Sequence, residues 1–431
     1  MKDLKEFFQR LSKEYPNCPL VKDLKLIKNL NSYTNILISD KFFNNIDEII
    51  SSYDNLSYPS ITCGIMTYNE ERCIKRCISS LYNEFDEIIL LDSMSTDNTL
   101  NIVNSNFPKV KILKESWKDD FSYNRNIIIN NSSSDWIYFI DADNIYSNEN
   151  KGKAKRIAKL ITFFKIDCVI SPIIYEHNNT ITYDNRRLFS LKKNIIFFGK
   201  IHEEPLYYDK ILPKNITADI KVYHDGYNSQ IINQDKKNKR NIILTKKMMD
   251  IEPSNPKWLY FYAKELYFLN EKNNQYIYTI LIKCLNLYKS SNYYRYYGET
   301  ISLLCEILFK LNKFNELNKY VDLLEKIFPN CADISYYRGC LIYLDIQNKI
   351  KKLLDYLNPY INDNTQNTFS IIEPSNDHLK SLTISLLISL QDFNSIPKIY
   401  NDIDSKELKE KILKSINTLN MAFNAFDNKT S

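Results

Sequence analysis

The stretch DWIYFIDADN, residues 135–144, decides how the middle of this 431-residue chain is interpreted. Its apolar part is typical of a strand that is buried on both faces of a parallel sheet. The strand runs into Asp141-Ala142-Asp143, where two carboxylates spaced i, i+2 on an extended chain point the same way. Such a pair supplies the oxygen ligands that a divalent cation such as Mg²⁺ or Mn²⁺ prefers. A solvated acidic junction between a strand and a loop is the alternative at this point.

The segments upstream of this strand alternate between strand and helix patterns. SITCGIMTY (60–68), DEIILLDS (86–93) and VKILKESW (110–117) are strand candidates, and a segment with helical character follows each of them. This order predicts an α/β fold with a mostly parallel, doubly wound sheet, in which ligands bind beyond the carboxyl ends of the strands. The polar pairs that fall at those ends are Asn69/Glu70, Asp92/Ser93 and Asp141/Asp143.

The chain outside this region is helical in character, which predicts three parts. Residues 1–58 form an N-terminal helical segment, 59–228 the sheet domain and 229–431 a helical domain. Helix pairs recur in the last part at intervals close to the ~34 residues of tetratricopeptide-type hairpins, and residues 361–375 look like a loop within it. Candidate first helices begin near Lys257, Gly298, Ile334 and Asp377.

Composition excludes several classes of protein. The chain has six glycines and neither a G-x-G-x-x-G nor a G-x-x-x-x-G-K-[ST] pattern, which excludes standard Rossmann and P-loop sites. Its 57 basic and 52 acidic residues are too nearly balanced to indicate nucleic-acid binding. No apolar run approaches the ~20 residues of a membrane span, and the charged N-terminus has no signal-peptide core. We therefore expect a cytoplasmic protein whose nine cysteines are mostly buried free thiols.

Three motifs occur in order along the predicted sheet domain: TCGIMTYNE (62–70), DSMSTDNT (92–99) and DAD (141–143). Together they resemble the pattern of the inverting glycosyltransferases of family two, which have a nucleotide-sugar-binding A-type fold. The resemblance implies that Asp143 contacts a metal ion and that Asp141 contacts the ribose or the sugar. The donor-binding residues that the resemblance implies are Thr67, Asn69, Glu70, Asp92, Ser93, Asp97, Arg125, Asp141, Ala142 and Asp143.

Five further motifs extend the resemblance over nearly the whole chain: DDFSYNRN (119–126), RRLF (186–189), GKIHEEP (199–205), VYHDGY (222–227) and NPKW (255–258). They resemble the sublancin-type S-glycosyltransferases of glycocin biosynthesis, which attach a hexose to a cysteine thiol of a bacteriocin precursor peptide. This resemblance implies a UDP-hexose donor, a small precursor peptide with an acceptor cysteine and a tetratricopeptide-like C-terminal domain. Transfer to a lipopolysaccharide-type glycolipid stays open as an alternative, as does an inactive repeat scaffold.

The H-E-E-P motif carries the residues that we expect to be catalytic. An inverting transfer needs a base near the acceptor to take its proton. A carboxylate can do this more easily for a thiol, whose free pKa is about 8.5, than for a hydroxyl. Glu203 is preferred to Glu204 as this base, and His202 is the third candidate. A solvated or salt-bridged loop is the alternative for all three.

His224 and Arg125 complete the expected site. His224 is interpreted as a metal ligand beside Asp143 and Asp141, with a core histidine as the alternative. Arg125 is interpreted as a contact for the donor phosphate or sugar, with a structural ion pair as the alternative. We also expect a homodimer through the helical domain. The identity of the sugar, and whether serine is accepted besides cysteine, are left open.

Overall fold

The computed structural model describes residues 1–28, 36–224, 234–269, 273–362, 371 and 375–427. The chain forms two compact units, Met1–Asn273 with Thr279–Tyr294, and Asn274–Tyr278 with Arg295–Ser431. The first helices after the sheet therefore belong to the same unit as the sheet. The three-part division drawn from sequence character stays a prediction, and its boundary at 228/229 lies among residues that are not described.

The N-terminal segment packs into the core of the first unit. Its first helix begins after Asp3, whose carboxylate accepts the N–H of Lys5 and so caps the helix. Phe7 on the buried face of this helix lies against Phe164, with ring centroids 5.5 Å apart. The elements of this segment are β1 (Lys2–Asp3), α1 (Leu4–Glu14), α2 (Pro19–Leu24), β2 (Leu37–Ile38) and α3 (Ile46–Asn55).

A nine-stranded mixed sheet and a separate antiparallel hairpin follow this segment. The strands are β3 (Ile61–Thr67), β4 (Glu87–Asp92), β5 (Lys111–Lys114), β6 (Trp136–Asp141), β7 (Asn144–Tyr146), β8 (Val169–Glu176), β9 (Ile181–Thr182), β10 (Leu188–Ser190), β11 (Ile195–Phe198), β12 (Glu204–Tyr207) and β13 (Asn215–His224). The order in the sheet is β5-β4-β3-β6-β10-β8-β13-β7, with β9 paired to β8. The hairpin consists of β11 and β12.

The predicted fold class is confirmed, with one refinement in strand direction. β3, β4, β5 and β6 are parallel, as expected from the alternation of strands and helices. β10 runs antiparallel between β6 and β8, because the chain reverses in the tight turn between β8 and β9 and then continues in the direction of β9 into β10, without a crossover helix. β7 is likewise antiparallel to β13. The sheet is therefore mixed beyond β6.

Helices cover the parallel half of the sheet and position its carboxyl ends. The helices of this region are α4 (Ile74–Leu81), α5 (Thr99–Asn106), α6 (Phe121–Asn130) and α7 (Lys153–Phe164). β3 and α6 approach so closely that a Cβ atom at Gly64 would lie 2.8 Å from Ile128 and 2.9 Å from Phe139. Glycine is therefore required here, because any side chain would push α6 away from the sheet.

The remaining chain is helical. Its helices are α8 (Gln234–Ile251), α9 (Pro256–Phe268), α10 (Asn274–Tyr288), α11 (Tyr297–Lys310), α12 (Phe314–Ile327), α13 (Ala332–Asn362), α14 (Asp377–Ser389), α15 (Ile396–Asn401) and α16 (Lys406–Asp427). Several consecutive pairs pack together, among them α8 with α9 and α11 with α12. α9, α11, α13 and α14 each begin within two residues of a predicted start.

Two further expectations concern this helical part. The predicted loop at 361–375 falls mostly outside the described residues. No helix in the described ranges combines the length and the apolar character needed to cross a membrane.

Candidate active site

Two loops at the carboxyl ends of β3 and β4 hold each other in place. Asn69 adopts a φ of 55°, and its side-chain oxygen accepts the N–H of Thr96 at 2.8 Å. Its own N–H donates to the Ser95 hydroxyl at 2.8 Å. The next N–H, that of Glu70, donates to the Thr99 hydroxyl at 2.8 Å. The first two sequence motifs therefore form one interlocked platform beside the ends of the strands.

The second motif supplies most of the acceptors of this platform. Asp92 is fully buried and accepts the N–H of Ser95 at 2.8 Å and its hydroxyl at 2.5 Å. Asp97 accepts two backbone N–H groups, both at 3.0 Å. The Ser93 hydroxyl accepts the side-chain amide of Asn124 at 3.1 Å. These bonds shape the loops, and the nucleotide contacts expected of Asp92, Ser93 and Asp97 stay predictions.

Thr67, Glu70 and Ala142 lie where this platform meets the end of β6. Thr67 is buried, and its carbonyl accepts the backbone N–H that follows β4 at 2.9 Å. The Glu70 carboxylate accepts the thiol of Cys73 at 3.0 Å. Burial raises the pKa of Glu70, and the negative charge of Asp143 adds to this effect. The Glu70 carboxylate is therefore close enough to the acidic motif to interact with the charge of Asp143. Ala142, between the two aspartates in the chain, is buried.

Strand register brings Asp143 and His224 together. β13 pairs with β7 so that His224 lies opposite Asn144, the residue that follows Asp143. The His224 Nε2 atom is 3.0 Å from Asp143 Oδ2. On the other side of β13, β8 places Glu176 opposite His224, with its Oε2 atom 2.5 Å from Nδ1. Glu176 was missed in the sequence, because only the β8–β13 register shows that it faces the histidine.

The His224 imidazole is held between these two carboxylates. Burial disfavours its charged form, but the hydrogen bonds to Asp143 and Glu176 outweigh burial and raise the pKa of His224 to about 10. The imidazole is therefore protonated at neutral pH, and a divalent cation would bind in place of the Nε2 proton, between the ring and the Asp143 carboxylate, with Nδ1 oriented by Glu176. In the described ranges no group of three or more His, Cys, Asp or Glu side chains is arranged so that it could hold a metal ion. The VYHDGY residues Gly226 and Tyr227 lie outside the described residues.

Asp141 lies between two guanidinium groups. Arg187 Nη2 donates to its Oδ2 atom at 2.6 Å, and Arg125 Nη2 donates to its Oδ1 atom at 3.4 Å. Burial opposes ionisation, but Arg187 and then Arg125 hold the pKa of Asp141 below its ordinary value. The RRLF motif contains two candidates for this contact, and only the position of β10 beside β6 shows which one is used. Arg186 instead donates to the Pro213 carbonyl at 2.9 Å.

Arg125 connects Asp141 to the H-E-E-P loop. Its Nε atom donates to Glu203 Oε1 at 2.7 Å. The guanidinium carbon lies 5.1 Å from the ring centroids of both Phe139 and Phe197, and the residue is only 4% exposed. Within the described structure its Nη1 atom has no hydrogen-bond partner. A buried cation with one donor left over is suited to bind an anionic or hydroxyl-rich ligand.

The β11–β12 hairpin is fixed on two sides. Asn126, next to Arg125 on α6, donates to the Phe197 carbonyl at 2.9 Å and accepts the Phe197 N–H at 2.8 Å. At the end of β11, Gly199 has a φ of 114°, and a Cβ atom there would lie 3.0 Å from the Trp258 ring. The hairpin therefore sits between α6 and α9. The H-E-E-P motif begins in its connecting loop with His202 and Glu203 and continues into the start of β12 with Glu204 and Pro205.

The loop directs Glu203 and Glu204 into different surroundings. Glu203 pairs with Arg125, which itself contacts Asp141. Glu204 is buried and accepts Lys257 Nζ at 2.6 Å and the Tyr293 hydroxyl at 3.2 Å. Of the two carboxylates, Glu203 is the one joined to the acidic motif.

His202 turns its ring toward α9. The imidazole stacks on Phe261 with ring centroids 3.6 Å apart and planes 10° from parallel. Its Nε2 atom is 3.3 Å from Glu265 Oε1. Burial lowers the pKa of His202 in spite of this carboxylate, so the ring is neutral near pH 7. The three candidate catalytic residues thus occupy three distinct environments.

Comparison with known proteins identifies the family. Residues 62–243 match the family model described as Glycosyl transferase family 2. The chain is 41% identical over 409 residues, 95% of each chain, to the SPbeta prophage-derived glycosyltransferase SunS of Bacillus subtilis (strain 168), and equally to glycosyltransferase SunS of Bacillus phage SPbeta. Among solved structures, S. aureus TarS 1-349 in complex with UDP aligns over 83% of this chain and 91% of that chain, with 15% identity and a TM-score of 0.31. The resemblance drawn from the motifs is confirmed: the chain belongs to the same family of glycosyltransferases as SunS, and residues 62–243 form its Glycosyl transferase family 2 domain.

Proposed function

We propose that this glycosyltransferase transfers a hexose from a UDP-sugar to a cysteine side chain of a small precursor peptide, in the cytoplasm and with inversion at the anomeric carbon. The observation that carries the proposal is that the acidic motif contacts two groups of side chains. Asp143 contacts His224, and a divalent cation would bind between them in place of the Nε2 proton. Asp141 contacts Arg125, which also binds the Glu203 carboxylate.

The UDP-sugar is proposed to bind at the carboxyl ends of β3, β4 and β6. A cation held by Asp143 and His224 would neutralise the diphosphate charge that grows as UDP leaves. Asp141, whose carboxylate is already held by Arg125 and Arg187, is proposed to contact the ribose or the sugar. The other proposed donor contacts are Thr67, Asn69, Glu70, Asp92, Ser93, Asp97 and Ala142.

The acceptor thiol is proposed to approach from the side of Glu203. Its proton passes to the Glu203 carboxylate, and its sulfur forms a bond to the anomeric carbon. The bond between that carbon and the diphosphate oxygen breaks on the opposite face, which releases UDP. Glu203 is preferred because Glu204 is committed to Lys257 and the His202 ring stacks on Phe261.

A cysteine acceptor is proposed because the motifs are of the glycocin type and the similarity to SunS runs through the helical region.

We also propose that the second unit forms a homodimer. Exposed apolar residues follow the three-four spacing of a helix–helix seam along α13 and offer a surface for a second copy. They are Ile342, Ile346, Leu353, Tyr356 and Tyr360.

The proposed base is tested with Glu203→Gln and Glu204→Gln on a cysteine peptide, with transfer followed by intact-peptide mass. Glu203→Gln should lower turnover by ~10²–10⁴-fold, because the thiol loses its proton acceptor. The defect should shrink between about pH 7 and about pH 9, since solvent then supplies the thiolate. UDP-sugar affinity should stay unchanged, because the base acts only on the acceptor.

Three controls separate the alternatives. Glu204→Gln should show no rescue at high pH, since its carboxylate faces Lys257. A serine peptide should lose the pH rescue, because a hydroxyl does not ionise in this range. A chelator should abolish transfer by the wild-type protein. If transfer persists in the presence of a chelator, the proposed dependence on a divalent cation is wrong. If the protein modifies a glycolipid in preference to the peptide, the proposed peptide acceptor is wrong.

A further inference from the structure

Helix α9 supplies a buried lysine to the H-E-E-P loop. Lys257 is 2% exposed, and its ammonium donates to two groups of that loop. One is the His202 carbonyl, at 2.6 Å from Nζ, and the other is the Glu204 carboxylate, at 2.6 Å. His202 and Glu204 are the residues immediately before and after Glu203 in the chain. A single side chain therefore holds both neighbours of the proposed base.

The backbone of this loop needs such a support. His202 adopts a φ of 49°, in the left-handed region that residues with a side chain occupy rarely. Its carbonyl is turned toward α9, where it requires a hydrogen-bond donor in place of water. Lys257 provides that donor and also neutralises Glu204, which is 4% exposed. Without the ammonium, the carbonyl and the carboxylate would both lose a principal partner.

The position of Lys257 breaks a local rule of helix composition. Asn255 caps α9 and Pro256 is its first residue, so Lys257 lies in the first turn. A cation at this end of a helix is disfavoured by the helix dipole. A residue that violates a local preference commonly serves the tertiary structure or the function. Here the contacts of the Lys257 ammonium with the Glu204 carboxylate and the His202 carbonyl offset its unfavourable interaction with the helix dipole.

We propose that Lys257 is a positioning residue for Glu203. The inference rests on the proposed function, in which Glu203 takes the proton of the acceptor. Because both neighbours of Glu203 are fixed, its side chain leaves the loop in one direction, where it meets Arg125 Nε at 2.7 Å. A base must be held within hydrogen-bond reach of the proton that it removes. Lys257 therefore acts on turnover through Glu203 and does not itself contact the substrates.

The test compares Lys257→Met with Lys257→Met/Glu204→Gln in the full-length protein. The paired variant leaves no uncompensated buried charge, so it should melt near the wild-type temperature even if the single variant is unstable. Both variants should lower turnover by ~10–100-fold, as expected for a displaced catalytic group. Affinity for the UDP-sugar, measured by calorimetry, should stay unchanged. Full turnover in the folded paired variant overturns the proposal.

A double-mutant cycle distinguishes positioning from general damage. Lys257→Met added to Glu203→Gln should cause no further loss, because the group through which Lys257 acts is already gone. If the loss of turnover in Lys257→Met/Glu203→Gln equals the product of the losses in the two single variants, the proposal is overturned. If Glu203→Gln alone keeps full turnover, then the proposed base is wrong, which is a separate outcome. Lys153→Met, which removes a partly buried ion pair with Asp219, serves as the matched control and should leave turnover unchanged.

Discussion

At the residue scale, Glu176 determines how His224 presents its ring. The Glu176 carboxylate binds Nδ1, so Nε2 is the nitrogen that faces Asp143. We expect Glu176→Gln to weaken Mn²⁺ binding in the presence of UDP by ~10–100-fold, because such partners orient a ligating histidine and raise its basicity. Calorimetric titration of Mn²⁺ into the protein with UDP measures this directly, without any transfer reaction.

A second glutamate provides the control for this prediction. Glu149 pairs with Lys221 of the same strand β13, and its side chain is 62% exposed. Glu149→Gln should leave Mn²⁺ affinity unchanged, since it removes a similar charge far from the histidine nitrogens. Equal affinity in wild type and Glu176→Gln would show that Glu176 does not orient a metal-binding His224.

At the element scale, the β11–β12 hairpin depends on Gly199. Its φ is 114°, and a Cβ atom added there would lie 3.0 Å from the Trp258 ring, so alanine does not fit. Gly199→Ala should lower the free energy of unfolding by about 1–3 kcal/mol through backbone strain alone. It should also slow transfer, because the strand end that it distorts leads into the H-E-E-P loop. Urea unfolding and turnover, measured on the same preparation, test both effects.

Gly152 offers a matched comparison. It also has a positive φ, 69°, but a Cβ atom there would meet nothing within 4 Å. Gly152→Ala should cost about 1–2 kcal/mol of stability and leave transfer unchanged. If both substitutions cost the same and neither slows transfer, close packing of Trp258 on Gly199 has no role in the loop.

At the scale of the whole molecule, the division into two units predicts where the chain can be shortened. A chain ending at Tyr294 keeps the sheet, Lys257, Glu265 and Tyr293. We expect it to bind UDP like the full-length protein and to sediment as a monomer, since the α13 seam is removed. A chain ending at residue 235 should lose turnover as well, because α9 and its contacts to the H-E-E-P loop are gone. Sedimentation equilibrium, UDP calorimetry and peptide modification together decide between these outcomes.

Three other results for the chain ending at Tyr294 would each change the interpretation of the second unit. A dimer formed by the shortened chain would place the interface outside the second unit. Loss of UDP binding in a folded monomer would show that the helical region contributes to the donor site. Loss of peptide modification with UDP binding retained would support a role of the second unit in acceptor recognition.

Several elements were predictable because their signals are local. β3, β4 and β6 are short apolar runs between polar segments, and a strand with two buried faces shows that pattern in any context. The start of α9 follows from Asn255 and Pro256, which favour the first positions of a helix. The direction of β10 was not predictable, because it depends on the chain reversal in the turn between β8 and β9, which places both β9 and β10 antiparallel to β8.

The sequence by itself determined the alternation of strands and helices, the acidic motif at the end of β6 and the family to which the chain belongs. Each of these depends on residue types at short, regular spacings. The tertiary structure alone decided that Arg187 binds Asp141, that Glu176 orients His224, and that Lys257 takes Glu204 and leaves Glu203 to Arg125. These contacts join residues 46 to 78 positions apart in the chain. Their partners are chosen by strand register and by helix packing, which no local spacing encodes.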